Sequence, residues 1–147
     1  MQTTTNLLTT TLAVATLLGA AAAHAGPGRC EQVFAAGQTF FNGAGFEGDA
    51  YSSIGDLLVS VAVLEQAETG SGLRAATAHT FTAMDGSLVF STRDNAMLKP
   101  VNAAGLFELD TQALVVEGGH GQLSIDGLVD FARGWARWTA KGSVCSD

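Results

Sequence analysis

The sequence is poor in charged residues, above all basic ones, and in cysteine and histidine. Only 14% of its 147 residues are charged and 47% are hydrophobic, a composition that argues against an intrinsically disordered chain. Seven Lys and Arg against 14 Asp and Glu give a net charge of −7, which disfavours nucleic acid and anionic membranes as partners. The two cysteines and three histidines show no zinc-site spacing, and the G-x-S-x-G motif of serine hydrolases is absent. We therefore expect no metal and no other cofactor.

The one long apolar run lies at the N-terminus. Residues 7–23 are uncharged and rich in Ala, Leu and Thr, and Ala23-His24-Ala25 supplies an A-x-A cleavage pattern. This layout predicts a signal peptide over 1–25 and a secreted or periplasmic protein of one domain, residues 26–147. An uncleaved membrane anchor is the alternative, but the run is near the lower length limit for spanning and threonines interrupt it. We expect no stable membrane association after cleavage.

The two cysteines, Cys30 and Cys145, stand near opposite ends of the chain that remains after cleavage. Two cysteines in an exported protein most often pair with each other. We therefore expect a Cys30–Cys145 disulfide that closes nearly the whole chain. Free thiols or an intermolecular link are the alternatives.

Alternation of apolar and polar residues, punctuated by turn signals, dominates the chain after residue 55. It predicts strands over 56–66, 72–83, 87–99, 106–117, 122–131 and 135–145. Earlier in the chain, 38–46 is expected to form another strand, and 31–36 a short strand or one helical turn. Six to eight consecutive strands with short links favour an all-β, antiparallel, up-and-down barrel, with a sandwich as the alternative.

The side chains that face the barrel interior follow from the register of the hairpin at Asp85-Gly86. A two-residue turn there places Phe81 opposite Phe90 and His79 opposite Thr92. Alternation along the strands then predicts an inner face of Leu73, Ala75, Thr77, His79, Phe81, Ala83, Leu88, Phe90, Thr92, Asp94, Ala96, Leu98, Phe107, Leu109, Thr111, Ala113, Val115, Leu123, Ile125, Val129, Phe131, Ala136, Trp138, Ala140 and Val144. A barrel of about eight strands is either filled by side chains or holds one small ligand. The many small inward residues favour a cavity for a small apolar molecule over a fully packed core.

The strongest candidate for chemistry is His79 with Asp94. Asp94 is a diagonal neighbour of His79 on the inner face if the strand is unbroken, and such a pair could orient a ligand or position a proton donor. The alternative is a bulge around 93–95 that turns Asp94 to solvent and leaves His79 as a core histidine. The candidate cavity residues are His79, Phe81, Phe90, Thr92, Asp94, Phe107, Leu109 and Trp138.

Several short motifs link this chain to a known family. They are His79-Thr80-Phe81, Asp85-Gly86-Ser87, Thr92-Arg93-Asp94, the loop from Pro100 to Gly105, and the segment from Gly142 to Cys145. With them, residues 72–145 resemble the secreted bacterial proteins of the allene oxide cyclase barrel-like group, which is related in fold to plant allene oxide cyclases and dirigent proteins. The resemblance implies an eight-stranded calycin-type barrel, and it supports the fold more than any reaction.

The chain departs from this group at its glycine turn. The group usually has Gly-Gly-Thr-Gly-Arg-Phe, whereas residues 118–123 are GGHGQL. Any role of the Thr or Arg side chains therefore does not carry over. We interpret Gly118-Gly119-His120-Gly121 as a tight connection with His120 in solvent, since a phosphate loop would need a following helix and a Lys-Ser/Thr pair.

Three functions remain open. The first is a module that binds a small apolar molecule. The second is an enzyme of the cyclase type, whose cavity folds a reactive substrate and steers its cyclisation by confinement. The third is a structural or interaction protein with a packed core, for which a homo-oligomer is possible. A titratable group inside a cavity would favour the enzyme, a purely apolar cavity the binding module, and the lack of a cavity the third function.

Overall fold

A computed structural model describes residues 29–146 of the chain. The predicted signal peptide and its cleavage site lie outside these residues. The described part forms eight strands: β1 Cys30–Phe41, β2 Gly45–Ser52, β3 Leu57–Thr69, β4 Gly72–Ala83, β5 Leu88–Pro100, β6 Leu106–Glu117, β7 Gly119–Asp130 and β8 Trp135–Ser146. No helix within residues 29–146 has the length and apolar character needed to cross a membrane.

The eight strands form one closed barrel in which each strand pairs antiparallel with the next. β1 also pairs with β8, from Cys30 opposite Cys145 to Phe40 opposite Trp135, and this seam closes the sheet on itself. The predicted all-β, up-and-down barrel is confirmed, and the sandwich alternative is wrong. We call the end that carries the β1–β2, β3–β4, β5–β6 and β7–β8 turns the upper end. The lower end carries the other turns and the first and last described residues.

The disulfide between Cys30 and Cys145 is present, as expected. The two cysteines are directly paired residues of β1 and β8, so the bond fastens the seam at its lower end. It joins residues 115 positions apart in the sequence.

The start of the barrel differs from the expectation. The prediction of a single strand over 38–46 is wrong, because β1 ends at Phe41 and β2 begins at Gly45. The side-chain Oδ1 of Asn42 accepts hydrogen bonds from the backbone N–H groups of Ala44 and Gly45, each at 3.0 Å, and this Asx turn reverses the chain. Residues 31–36, expected as a strand or a helical turn, belong to β1.

Two residues predicted to face inward lie outside because the strand register shifts. Phe81 pairs with Phe90 as predicted, but Thr82 pairs with Leu88, so Leu88 is turned outward and exposed. The cause is a three-residue hairpin loop that ends at Gly86, whose φ of +85° suits glycine, where two loop residues were expected. A second shift, where β6 gains one residue relative to β5, leaves Val115 64% exposed and buries Val116 instead. The side chain of Ala113 lies outside the described part of the chain.

The connection between β6 and β7 is shorter than expected. Gly118 alone separates the two strands, and His120, predicted on a turn, is the second residue of β7, opposite Cys145. His120 is exposed, as predicted. Gly121 belongs to β7 because the strands approach closely there: a Cβ on it would lie 2.1 Å from the backbone oxygen of Ser143. The glycine-rich sequence from Gly118 to Gly121, which suggests a loop, therefore allows β7 and β8 to pair closely.

The core has two layers. The lower layer is densely aromatic and aliphatic, with Phe81, Phe90 and Trp138 packed among residues such as Leu57 and Ile125. The upper layer is built from smaller or fewer side chains, namely Phe46, Ala75, Leu98, Val129 and Ala136. The barrel therefore has a filled lower half and a less crowded upper half.

An ion pair on the outer face ties β5 to β6. Arg93 Nε lies 2.6 Å from Oε1 of Glu117, and the hydroxyl of Ser91 donates to the same carboxylate. These hydrogen bonds from Arg93 and Ser91 hold the pKa of Glu117 below its ordinary value. Because both side chains are largely exposed, the pair contributes little to stability.

Candidate functional site

The upper half of the barrel encloses a cavity of about 70 Å3. Its wall is mostly aliphatic and aromatic, and the described residues that line it include no Lys or Arg. Two of the lining residues, Val63 and Phe131, are 38% and 42% exposed, so the cavity reaches the surface at the upper end of the barrel. The lining residues His79 and Trp138 both lie against Phe81 of the lower layer, with ring centroids 6.1 Å from its ring, and form the floor.

Phenylalanines surround the mouth of the cavity. Phe46 lies 5.5 Å from Phe41 and 6.5 Å from Phe131, measured between ring centroids, and Phe131 lies 5.4 Å from Phe107. Phe131, predicted to face inward, follows β7 and stands at the rim, where it is partly exposed. The rim offers apolar contact to a molecule that enters or protrudes from the barrel.

A buried polar cluster faces this apolar space. Asp94 is 5% exposed, its Oδ1 accepts a hydrogen bond from the hydroxyl of Thr77, and the same oxygen lies 3.3 Å from Nδ1 of His79. The distance to His79 suits a charged pair, but the angle is not that of a hydrogen bond. Thr77, His79 and Asp94 all line the cavity. A carboxylate, an imidazole and a hydroxyl in this arrangement can orient a polar group or exchange a proton with it.

The strand geometry explains why Asp94 points inward. β5 keeps its alternation from Phe90 to Leu98, with every second residue buried. The register between β5 and β6 does shift nearby, between Asn95 and Ala96, but the extra residue belongs to β6 and not to β5. The alternative of a bulge that turns Asp94 to solvent is therefore wrong.

Trp138 is buried, and the paired residues on both of its neighbouring strands are glycines. Gly37 of β1 and Gly127 of β7 are its paired residues. A Cβ on Gly37 would lie 2.6 Å from Cζ2 of the indole. Glycine at these positions leaves room for the ring and lets the strands bend around it.

The structure divides the eight predicted cavity residues into two groups. His79, Asp94, Leu109 and Trp138 line the cavity. Phe81, Phe90 and Thr92 lie in the filled layer below it, and Phe107 packs behind Phe131. Four of the eight residues thus lie around one cavity in the upper half of the barrel, and their role in binding a ligand stays a prediction.

Several lining residues, among them Thr39 and Phe46, were not identified from the sequence. Thr77 was placed on the inner face but was not included in the site. Thr77 could have been found, because the register that pairs His79 with Thr92 also pairs Thr77 with Asp94. Thr39 and Phe46 belong to β1 and β2, whose boundary the sequence did not reveal. Asp130, also buried, was not singled out; it accepts hydrogen bonds from the backbone and guanidinium of Arg133 and so caps the β7–β8 turn.

Four buried polar atoms have no hydrogen-bond partner among the residues that the structure describes: Thr39 Oγ1, His79 Nδ1, Thr92 Oγ1 and Trp138 Nε1. Three of these residues line the cavity, whereas Thr92 lies below it in the filled layer. An unpaired buried hydroxyl destabilises a protein because it loses its hydrogen bonds to water.

Replacement of Thr92 by valine should therefore stabilise the protein. Thr92 is fully buried, and valine has the same shape without the hydroxyl. We expect the free energy of unfolding to rise by about 1 kcal/mol, measured by urea denaturation. Thr92→Ser, which keeps the hydroxyl and removes the methyl group, should instead destabilise. A loss of stability in Thr92→Val would show that the hydroxyl is hydrogen-bonded.

Comparison with known proteins gives no closer identity. The chain matches no protein-family model, no curated protein and no solved structure. Its fold and site define it as a closed, eight-stranded antiparallel β-barrel, disulfide-fastened at one end, with a small cavity at the other. The resemblance of residues 72–145 to the allene oxide cyclase barrel-like group stays a prediction.

Proposed function

We propose that the barrel binds a small, mostly apolar molecule in its upper cavity. The observation that carries this proposal is a mostly apolar cavity that reaches the surface, with the buried cluster of Thr77, His79 and Asp94 at its wall. Binding sites for small molecules commonly combine an apolar wall with a few convergent polar groups that fix orientation. A protein with only a structural role would gain stability from apolar residues in these places.

The size of the cavity limits what it can enclose. Its volume of about 70 Å3 is well below the several hundred that a drug-sized ligand occupies. The enclosed part of a ligand is therefore small, and a larger ligand leaves its remainder among the phenylalanines of the mouth.

An exported location fits the same proposal. Disulfides persist in oxidising compartments, and the Cys30–Cys145 bond fastens this barrel. Together with the signal-peptide pattern at residues 1–25, the bond supports a secreted or periplasmic protein that meets its ligand outside the cytoplasm.

A cyclase-type isomerase is the second candidate, and the His79–Asp94 pair is the observation that favours it. A titratable pair inside the cavity could exchange a proton with a reactive substrate while the walls hold the substrate folded. The group that residues 72–145 resemble is related in fold to plant allene oxide cyclases, but this resemblance supports the fold more than the reaction. A binding module would release its ligand unchanged. An isomerase would convert a precursor that cyclises spontaneously to a racemic mixture into a product with one stereoisomer in excess.

Native mass spectrometry of the protein purified from the exported, oxidised fraction tests the proposal first. We expect the mass of residues 26–147 less two hydrogens, together with an additional mass from a retained small molecule. Chiral chromatography of that molecule before and after incubation then separates binding from isomerisation.

Substitutions in the polar cluster should weaken binding of the molecule so identified. His79→Ala removes the imidazole and Asp94→Asn replaces the carboxylate by an amide, and we expect affinity to fall about tenfold in calorimetric titration. Glu108→Gln makes a matched change on the exposed outer face of β6 and should leave affinity unaltered. The proposal fails if both cavity variants bind as the wild type does.

A further inference from the structure

The chemical class of the ligand can be inferred from three residues that line the cavity and carry a buried polar atom with no hydrogen-bond partner among the described residues. Thr39, His79 and Trp138 are 1%, 8% and 6% exposed, and each has a side-chain polar atom that makes no hydrogen bond to the described residues. His79 Nδ1 lies 3.3 Å from Asp94 Oδ1, whereas Thr39 Oγ1 and Trp138 Nε1 have no such ionic neighbour. All three residues line the same cavity. Buried polar groups that the protein itself leaves unpaired are expected to be paired by what the cavity holds.

The indole of Trp138 is the most informative of the three. An indole N–H can only donate a hydrogen bond, so its partner must be an acceptor. The hydroxyl of Thr39 can donate to the same kind of group or accept from a hydroxyl. The Asp94 carboxylate already accepts from Thr77 and, if ionised, can accept further hydrogen bonds. The site as a whole therefore suits a neutral oxygen function, which accepts from Trp138 and, in an alcohol, also donates.

The charges around the cavity exclude the ionic alternatives. A carboxylate ligand would meet Asp94 in a space that no Lys or Arg lines, and the imidazole of His79 already lies 3.3 Å from the Asp94 carboxylate. Like charges repel strongly where water is excluded. An ammonium ligand would attract Asp94 and could donate to Thr39, but it would offer no acceptor to the indole N–H of Trp138. Of these three kinds of ligand, a neutral one with an acceptor such as an oxygen atom fits all of these groups.

The size of the cavity indicates where the polar and the apolar end of such a ligand would lie. A volume of about 70 Å3 holds on the order of two water molecules, or the few non-hydrogen atoms of a polar head. The apolar remainder must extend past Phe46 and Phe131 to the mouth. We infer that the cavity recognises a neutral alcohol or ketone on an apolar body, with the oxygen held by Trp138 and Thr39. This inference rests on the proposed function, which requires only that the cavity bind a small molecule.

The test uses five six-carbon probes on the oxidised protein: 1-hexanol, 2-hexanone, n-hexane, hexanoate and hexylammonium. Binding is followed in a two-dimensional 1H–15N spectrum through the indole N–H resonances of Trp138 and Trp135. Trp135 is the internal reference, because its ring lies on the outer face beneath Arg137, 5.2 Å from the guanidinium carbon. Trp135→Phe removes the reference signal and so assigns the two resonances.

We expect 1-hexanol and 2-hexanone to bind and to shift the Trp138 resonance but not that of Trp135. n-Hexane should bind about five- to tenfold more weakly, the loss of one neutral hydrogen bond, and the two ions more weakly still. Thr39→Val should lower the affinity for 1-hexanol by a similar factor and leave that for n-hexane unchanged. Thr92→Val is the matched control, because it removes a hydroxyl that does not line the cavity, and it should change neither affinity.

The contrary outcomes separate the two proposals. Equal affinity for n-hexane and 1-hexanol, or tightest binding of hexylammonium or hexanoate, would overturn the ligand class while leaving the cavity as a binding site. An unshifted Trp138 resonance in the presence of bound alcohol would overturn the role of the indole. Failure of all five probes to bind would count against the proposed function itself.

Discussion

Replacement of both Cys30 and Cys145 by alanine is expected to lower the free energy of unfolding by about 4–5 kcal/mol. The bond closes a loop of 115 residues, so its removal frees nearly the whole unfolded chain. It also releases the lower end of the β1–β8 seam, where the two cysteines are directly paired. Urea denaturation of the wild type and the double variant measures the difference.

The reduced wild type provides the matched comparison. A phosphine reductant should lower its stability to about that of the double variant, and the double variant should not respond to the reductant. If the free energy of unfolding fell by less than about 1 kcal/mol, the unfolded chain would have to keep its two ends close together without the disulfide. Because small domains are stable by only about 5–15 kcal/mol, the expected loss would leave the barrel marginal in a reducing compartment.

The strands after residue 55 could be predicted because their inner and outer residues differ strongly in polarity. In β4, for example, buried Ala75, Thr77, His79 and Phe81 alternate with less buried or exposed residues. β1 lacks this contrast, since Gly37 and Thr39 face inward while Phe34 and Phe40 are exposed outside. The boundary between β1 and β2 was therefore hidden, and with it the part of the cavity that these strands form.

Register shifts limited the prediction of the inner face. Alternation assigns every second residue to the interior only while two strands stay in step, and the local extra residues that bend a barrel break this rule. Leu88 and Val115 were misassigned for this reason. His79 and Asp94 were placed correctly because the shifts fall on either side of them, after Phe81 and after Asn95.

The largest effect of a single core substitution is expected at Phe81, the fully buried ring that separates the filled layer from the cavity. Phe81 stacks on Phe90 with ring centroids 4.4 Å apart and meets the edge of Trp138 at 6.1 Å. Phe81→Ala should lower the free energy of unfolding by about 3–5 kcal/mol, since it removes apolar contacts and leaves a void. Urea denaturation measures the loss.

Phe41→Ala is the matched control for this change. Phe41 is 54% exposed at the mouth, so the same truncation should cost less than about 1 kcal/mol there. Losses of similar size at the two positions would contradict the division of the barrel into a filled lower half and an open upper half.

Phe81→Ala is expected to change binding as well as stability, because the void that it leaves would lie directly beneath His79 and Trp138. The cavity should then deepen and accept probes with a bulkier polar end, such as cyclohexanol. Affinity for cyclohexanol should rise relative to that for 1-hexanol in the variant, whereas Phe41→Ala should leave the ratio unchanged. A natural sequence that keeps a large ring here gains stability and restricts the enclosed end of the ligand to a few atoms.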